Sequence, residues 1–150
     1  MKTVRTLSAA LILGAVTFAS AAHAMDPEIE ARQQLMQDVK AGMGAAGAMV
    51  QGKMPYDAKT AELAMRTLNA AAIGFPMFFT TDNSGDPDTE SLAKVWEDMD
   101  GFKKGSAMLA SASDAAAKKA SEGLDSFKTA FGPVAETCKG CHSTYRVQKK

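Results

Sequence analysis

Five residues near the C-terminus, Cys138-Lys139-Gly140-Cys141-His142, constrain this 150-residue chain more than any other stretch. The pattern Cys-x-x-Cys-His is the attachment signature of a c-type haem. Two thiols must reach the two vinyl groups on one porphyrin edge and form thioethers. An imidazole must then stand under the iron. On a helix, residues three and four apart share a face. Cys141 lies three residues after Cys138, and His142 lies four after it. All three side chains can therefore project toward one flat ligand.

Three other readings compete. A zinc site normally needs four ligands. A redox dithiol belongs after a strand in a βαβ setting. A chance match in a bundle without cofactor would strand a reactive dithiol in the core. Once the leader described next is removed, His142 is the only histidine, and Cys138 and Cys141 are the only cysteines. No second metal-binding pair exists, and nothing resembles a βαβ unit. Covalent haem c is the expected cofactor.

Residues 1–24 read as a secretory signal peptide. Lys2 and Arg5 form a basic start, Leu7 to Ala19 an apolar run, and Ala22-His23-Ala24 a small-x-small cleavage site. The run is too short, and too broken by Ser and Thr, to span a bilayer. Cleavage after Ala24 leaves a single domain of 126 residues, 25–150. Thioether attachment in bacteria takes place outside the cytoplasm, so the two readings agree on a bacterial periplasm. With Lys2 and Arg5 gone, 15 basic residues face 17 acidic ones, a net charge of −2. No basic block suggests nucleic acid, and no second apolar stretch suggests a membrane span.

Ala and Met are abundant and β-branched residues sparse, which favours helices. Four helices can be read. The first runs from about Asp26 to Val50, with Asp26 as N-cap and Pro27 at the first helical position. Ile29, Met36, Met43 and Val50 recur every seven residues, with Arg32, Val39 and Ala46 between them. Asp57 caps a second helix reaching about Ala72, with Leu63, Ala64, Leu68, Ala71 and Ala72 on its apolar face. Phe75, Met77, Phe78 and Phe79 are expected to fold back on the core, and Thr80 to Asp88 to form a surface loop. The third helix starts near Thr89 or Glu90, buries Leu92, Val95, Trp96, Met99, Phe102 and Leu109, and ends before Gly123. In the fourth, Leu124, Phe127, Phe131, Val134, Cys138, Cys141 and Tyr145 are spaced 3, 4, 3, 4, 3 and 4. That is an uninterrupted bundle seam with both cysteines on it. Pro133 removes the backbone bond to the carbonyl of Thr129 and should kink this helix.

The motif's place near the C-terminus, after three helices, resembles class II cytochromes c: cytochrome c′ and low-spin relatives of the cytochrome c-556 type. Ala31-Arg32-Gln33-Gln34-Leu35-Met36 is similar to that family's first-helix pattern, and Gly52-Lys53-Met54-Pro55-Tyr56-Asp57-Ala58 to the start of its second helix. Val95 to Phe102 is similar to its third helix, and Cys138 to Arg146 to its Cys-x-x-Cys-His-x-x-Tyr-Arg ending. The resemblance implies an all-α, antiparallel, up-down-up-down four-helix bundle with covalently bound haem. It implies thioethers at Cys138 and Cys141 and proximal ligation by His142. It implies that Arg32 and Gln33 contact a haem propionate, which would explain a charge inside an apolar stripe. Arg146 matches a family arginine near the proximal histidine.

The sixth position of the iron decides the function. Bis-histidine ligation is impossible with one histidine. Met36 falls where the family faces the distal side of the haem. Met43 and Met99 are weaker candidates. If Met36 ligates, the chain is a low-spin electron carrier working with periplasmic redox proteins. If the site is vacant, the chain resembles cytochrome c′ and binds NO or CO. No acid–base pair or nucleophile suggests an enzyme. The family implies a monomer or a homodimer through the first two helices.

Overall fold

The computed structural model describes residues 24–148; apart from Ala24, the expected leader lies outside them. Helix α1 spans Pro27–Val50 and starts as its sequence dictates: Asp26 Oδ1 accepts from the Glu28 amide at 2.7 Å. Ile29, Arg32, Val39, Ala46 and Met49 are its buried residues. Helix α2 spans Ala58–Gly74, and Asp57 accepts from the Thr60 amide at 2.7 Å. Its inward face is Ala61, Ala64, Met65, Leu68, Ala71 and Ala72. Leu63, expected on that face, is 67% exposed. The inward stripe steps through 61, 64, 65 and 68, and position 63 falls on the opposite side of the helix.

Small residues let α1 and α2 approach closely. A Cβ built on Gly42 would stand 2.6 Å from Leu68 Cδ1 and 3.2 Å from the Ala64 carbonyl oxygen. A 3₁₀ turn, Phe75–Phe78, follows α2. The aromatic cluster behind it divides. Phe79 is buried and Phe75 packs beside it, but Met77 is 72% exposed, because the turn points it outward.

The third helical segment differs from expectation at its start. Residues 89–93 are not helical. A four-residue helix α3, Lys94–Glu97, comes first and is followed by α4, Met99–Lys119. The reason is tertiary. Ser91 pairs with Arg146 in an isolated antiparallel bridge, the Leu92 amide donates to the Tyr145 carbonyl at 3.0 Å, and the Val147 amide donates to the Glu90 carbonyl at 2.9 Å. The backbone expected to open a helix is paired with the C-terminal segment instead. Leu92, in that segment, is exposed rather than buried. Asp98 (φ −136°, ψ 56°) breaks the helix between α3 and α4, and its carboxylate accepts from the Gly101 amide.

A 3₁₀ turn, Ala120–Glu122, leads to Gly123, whose φ of +98° is one that L side chains rarely adopt. Helix α5, Leu124–Tyr145, continues through the exposed Pro133. Phe127 and Val134 are fully buried on its seam, each worth about 1.5–3 kcal/mol of burial. The four long helices form a bundle in which α1 packs on α2, α2 on α4 and α4 on α5. The fourth side of the square, α5 against α1, is nearly open.

Candidate haem site

The open side of the bundle is a cavity of about 660 Å³, well within the size range of small-molecule sites. Helix α5 contributes Thr137, Cys138, Cys141, His142 and Tyr145 to its wall, as the seam spacing requires. Helix α1 contributes Ile29, Arg32, Gln33, Met36, Val39 and Met43. Phe102, Gly105, Ser106 and Leu109 of α4 form the floor, and Phe75, Phe79 and the stretch Asp88 to Ser91 close one end. Every site residue expected from sequence thus borders one space. Met43 and Arg146 border it too, whereas Met99 packs in the aromatic cluster of Phe79, Val95 and Phe102.

The electrostatics of the motif follow from burial. Burial pushes the pKa values of both cysteine thiols up. Burial, then the positive charge of Arg146, pulls the His142 pKa down, against the opposing charge of Glu90. A neutral imidazole is the form that binds a metal. Among the described residues no group of three or more His, Cys, Asp or Glu side chains could hold a metal ion by itself.

Arg32 is 4% exposed and held from three directions. Its Nε donates to the Glu28 carbonyl at 3.1 Å, one terminal nitrogen donates to Asn83 Oδ1 at 2.6 Å, and its guanidinium carbon lies 4.4 Å from the Phe79 ring centroid. The other terminal nitrogen has only a long contact, 3.5 Å, to Ser91 Oγ. Gln33 is exposed at the rim, and its side-chain amide donates to the Asp88 carbonyl at 2.8 Å. Two further donors nearby, Trp96 Nε1 and Arg146 Nε, are buried without a hydrogen-bond acceptor. Arg146 Nε has the Glu90 carboxylate at 3.9 Å.

These residues fit a haem. Two thiols and an imidazole share one apolar wall, a methionine borders the same space from the facing helix, and a buried cation with no ion pair among the described residues stands at one end. Sequence reasoning missed Asn83, Phe79 and Ser91 as neighbours of the site. No local pattern marks them, because each meets Arg32 across a long sequence separation.

A family model described as cytochrome c′ matches residues 27–146. A cytochrome c-556 of Agrobacterium fabrum (strain C58) is 30% identical over 145 residues, covering 97% of either chain. A cytochrome c′ of Pararhodospirillum photometricum is 33% identical over 119 residues, covering 79% of this chain and 94% of that one. The solved cytochrome c′ of Rhodopseudomonas palustris superposes with a TM-score of 0.79 at 26% identity, covering 84% of this chain and all of that one.

Proposed function

We infer, because this chain belongs to the cytochrome c′ family of class II cytochromes c, that it is a periplasmic monohaem electron carrier whose haem iron would be held by His142 and Met36. Its cofactor is a single, covalently bound haem c. The observation that carries the axial assignment is the shared cavity: Met36 borders it from α1, and His142 borders it from α5 beside both cysteines. When bound, the haem supplies a one-electron Fe(III)/Fe(II) couple, whose potential a His/Met pair raises relative to two nitrogen ligands.

The chain's own residues do the rest. Cys138 and Cys141 fix the group to α5. Burial favours the neutral form of His142, which would offer a lone pair on that side. Met36 closes the other side with a soft thioether. Ile29, Val39, Phe102 and Leu109 exclude water from the space between. Arg32 would meet a propionate with the terminal nitrogen that faces Ser91, and Gln33 stands at the rim beside it. Electron exchange needs only a small, transient contact with a periplasmic redox protein. The leader read in residues 1–24 carries the chain to that compartment.

The relatives named cytochrome c′ favour a second reading. In it Met36 stands off the iron, and the five-coordinate site, walled by apolar side chains, admits NO or CO. Optical and electron paramagnetic resonance spectra of the purified ferric protein near neutral pH separate the two. The electron-carrier reading expects a low-spin ferric signal that becomes high-spin in Met36→Ala. A high-spin wild type that binds CO readily on reduction overturns it in favour of the second.

A further inference from the structure

We propose that Asn83, itself fixed by Asp26, is the positioning residue that aims the Arg32 guanidinium at the haem carboxylate without neutralising it. The inference rests on the reading of Arg32 given above and goes beyond it. A guanidinium that is 4% exposed normally has an anionic partner. Among the described residues Arg32 makes no ion pair. The carboxylates whose charge reaches it are Glu28, Asp26 and Asp86; none forms an ion pair with the guanidinium, and each accepts hydrogen bonds from other groups. Glu28 accepts from the amide and hydroxyl of Thr80. Asp26 accepts from the Glu28 amide and from Asn83 Nδ2. Asp86 accepts from the Asp88 amide at 2.9 Å. The guanidinium thus lacks a contacting carboxylate among the described residues, a place that an anion entering the cavity can take.

Asn83 is suited to hold it there. Its Oδ1 accepts from Arg32 at 2.6 Å while its Nδ2 donates to Asp26 Oδ2 at 3.3 Å. A carboxylate could not do both, and the two contacts together fix which way the amide is turned. With one terminal nitrogen clamped by Asn83 and Nε by the Glu28 carbonyl, the other terminal nitrogen faces Ser91, on the cavity wall. An aspartate at this position would accept the same bond but would neutralise the charge. The amide orients the cation and leaves its charge to act on the propionate.

The test is the pH dependence of the midpoint potential of the haem-loaded protein. A cation beside a carboxylate lowers its pKa, so the low-pH inflection of the wild-type profile belongs to a propionate held acidic by Arg32. Arg32→Gln should move that inflection upward by about one pH unit or more. Asn83→Ala should move it the same way by a smaller amount. Asn83→Asp, which keeps the hydrogen bond but adds a competing charge, should approach Arg32→Gln. Thr80→Val, which loosens the same loop at Glu28 and leaves Asn83 in place, should overlay the wild type. Haem content and the ferric spectrum establish that each variant is folded and loaded. The proposal is overturned if both Asn83 variants overlay the wild type while Arg32→Gln shifts, or if Thr80→Val shifts as far as Asn83→Ala. If Arg32→Gln itself shifts nothing, the propionate reading falls, and the proposal falls with it.

Discussion

Replacing Phe79 with leucine should expose how much of the site's stability is a ring-to-cation contact. Phe79 is 5% exposed and stands among Phe75, Phe102 and Trp96, at centroid distances of 5.0, 4.6 and 5.7 Å. The Arg32 guanidinium carbon is 4.4 Å from its centroid. Leucine keeps an apolar side chain there but loses the ring face and the edge-on aromatic contacts, each worth about 0.5–1.5 kcal/mol beyond burial. A cation–π contact is worth about 0.5–1 kcal/mol in water and about 2 kcal/mol when desolvated. With Arg32 only 4% exposed, the upper figure applies. Phe79→Leu should therefore cost about 3–5 kcal/mol in all. That is a large share of the roughly 5–15 kcal/mol that holds such a domain together. The cation's part is isolated by urea unfolding of four haem-loaded proteins: wild type, Phe79→Leu, Arg32→Gln and the double variant. The bonds of Arg32 to Asn83 and Glu28 are lost with or without the ring and cancel in the cycle. A coupling energy of about 1–2 kcal/mol is expected. A coupling under about 0.5 kcal/mol would refute the view that the ring stabilises the buried cation.

Two glycines of α1 should respond in opposite senses to alanine. At Gly42 the added methyl meets Leu68 at 2.6 Å, and Leu68 is fully buried and has no room to yield. Gly42→Ala should lose about 1 kcal/mol or more, the overpacking cost exceeding the helix-propensity gain. Nothing lies within 4 Å of the same methyl at Gly44, so Gly44→Ala should gain about 0.5–1 kcal/mol; thermal melts of the two variants check both signs. The Asp98 carboxyl is held below its usual range first by the Tyr145 hydroxyl, 2.8 Å away, then by the Gly101 amide. A depressed folded-state pKa contributes stability that is complete above the unfolded value and is lost as pH falls through the folded one. Tyr145→Phe removes the larger cause, so its acid unfolding should begin at higher pH than that of the wild type. An unchanged acid limb would show that Tyr145 does not set the charge of Asp98.

Local patterns proved legible where one element's own residues decide the outcome. Asp26 and Asp57 cap α1 and α2 because an N-cap needs only its own side chain and an amide two or three residues on. Phe127, Phe131 and Val134 on the α5 seam are buried because helical spacing alone lines them up. Where the outcome depended on a distant segment, local patterns misled. A helix start was expected near Thr89 or Glu90, yet the C-terminal segment takes up the backbone of Glu90, Ser91 and Leu92, and α4 begins only after Asp98. Leu63 and Met77 look like core residues, but which side of α2 and its following turn faces inward depends on where α1 and α4 sit.

The candidate site divides in the same way. The motif at Cys138, Cys141 and His142, the one histidine among the described residues, determined the cofactor class. The resemblance of Ala31 to Met36 to the family pattern pointed to Arg32, Gln33 and Met36. Only the tertiary structure decided that all of these border one space, because that space exists where α5 and α1 fail to close the bundle. Only it decided the setting of Arg32, whose amide partner Asn83 lies 51 residues away in a loop without periodicity. Helical spacing is written within a few turns of chain, so sequence can specify each wall of the cavity. A buried charge takes its partners from whatever the packed walls bring near it, and that is settled only when they meet.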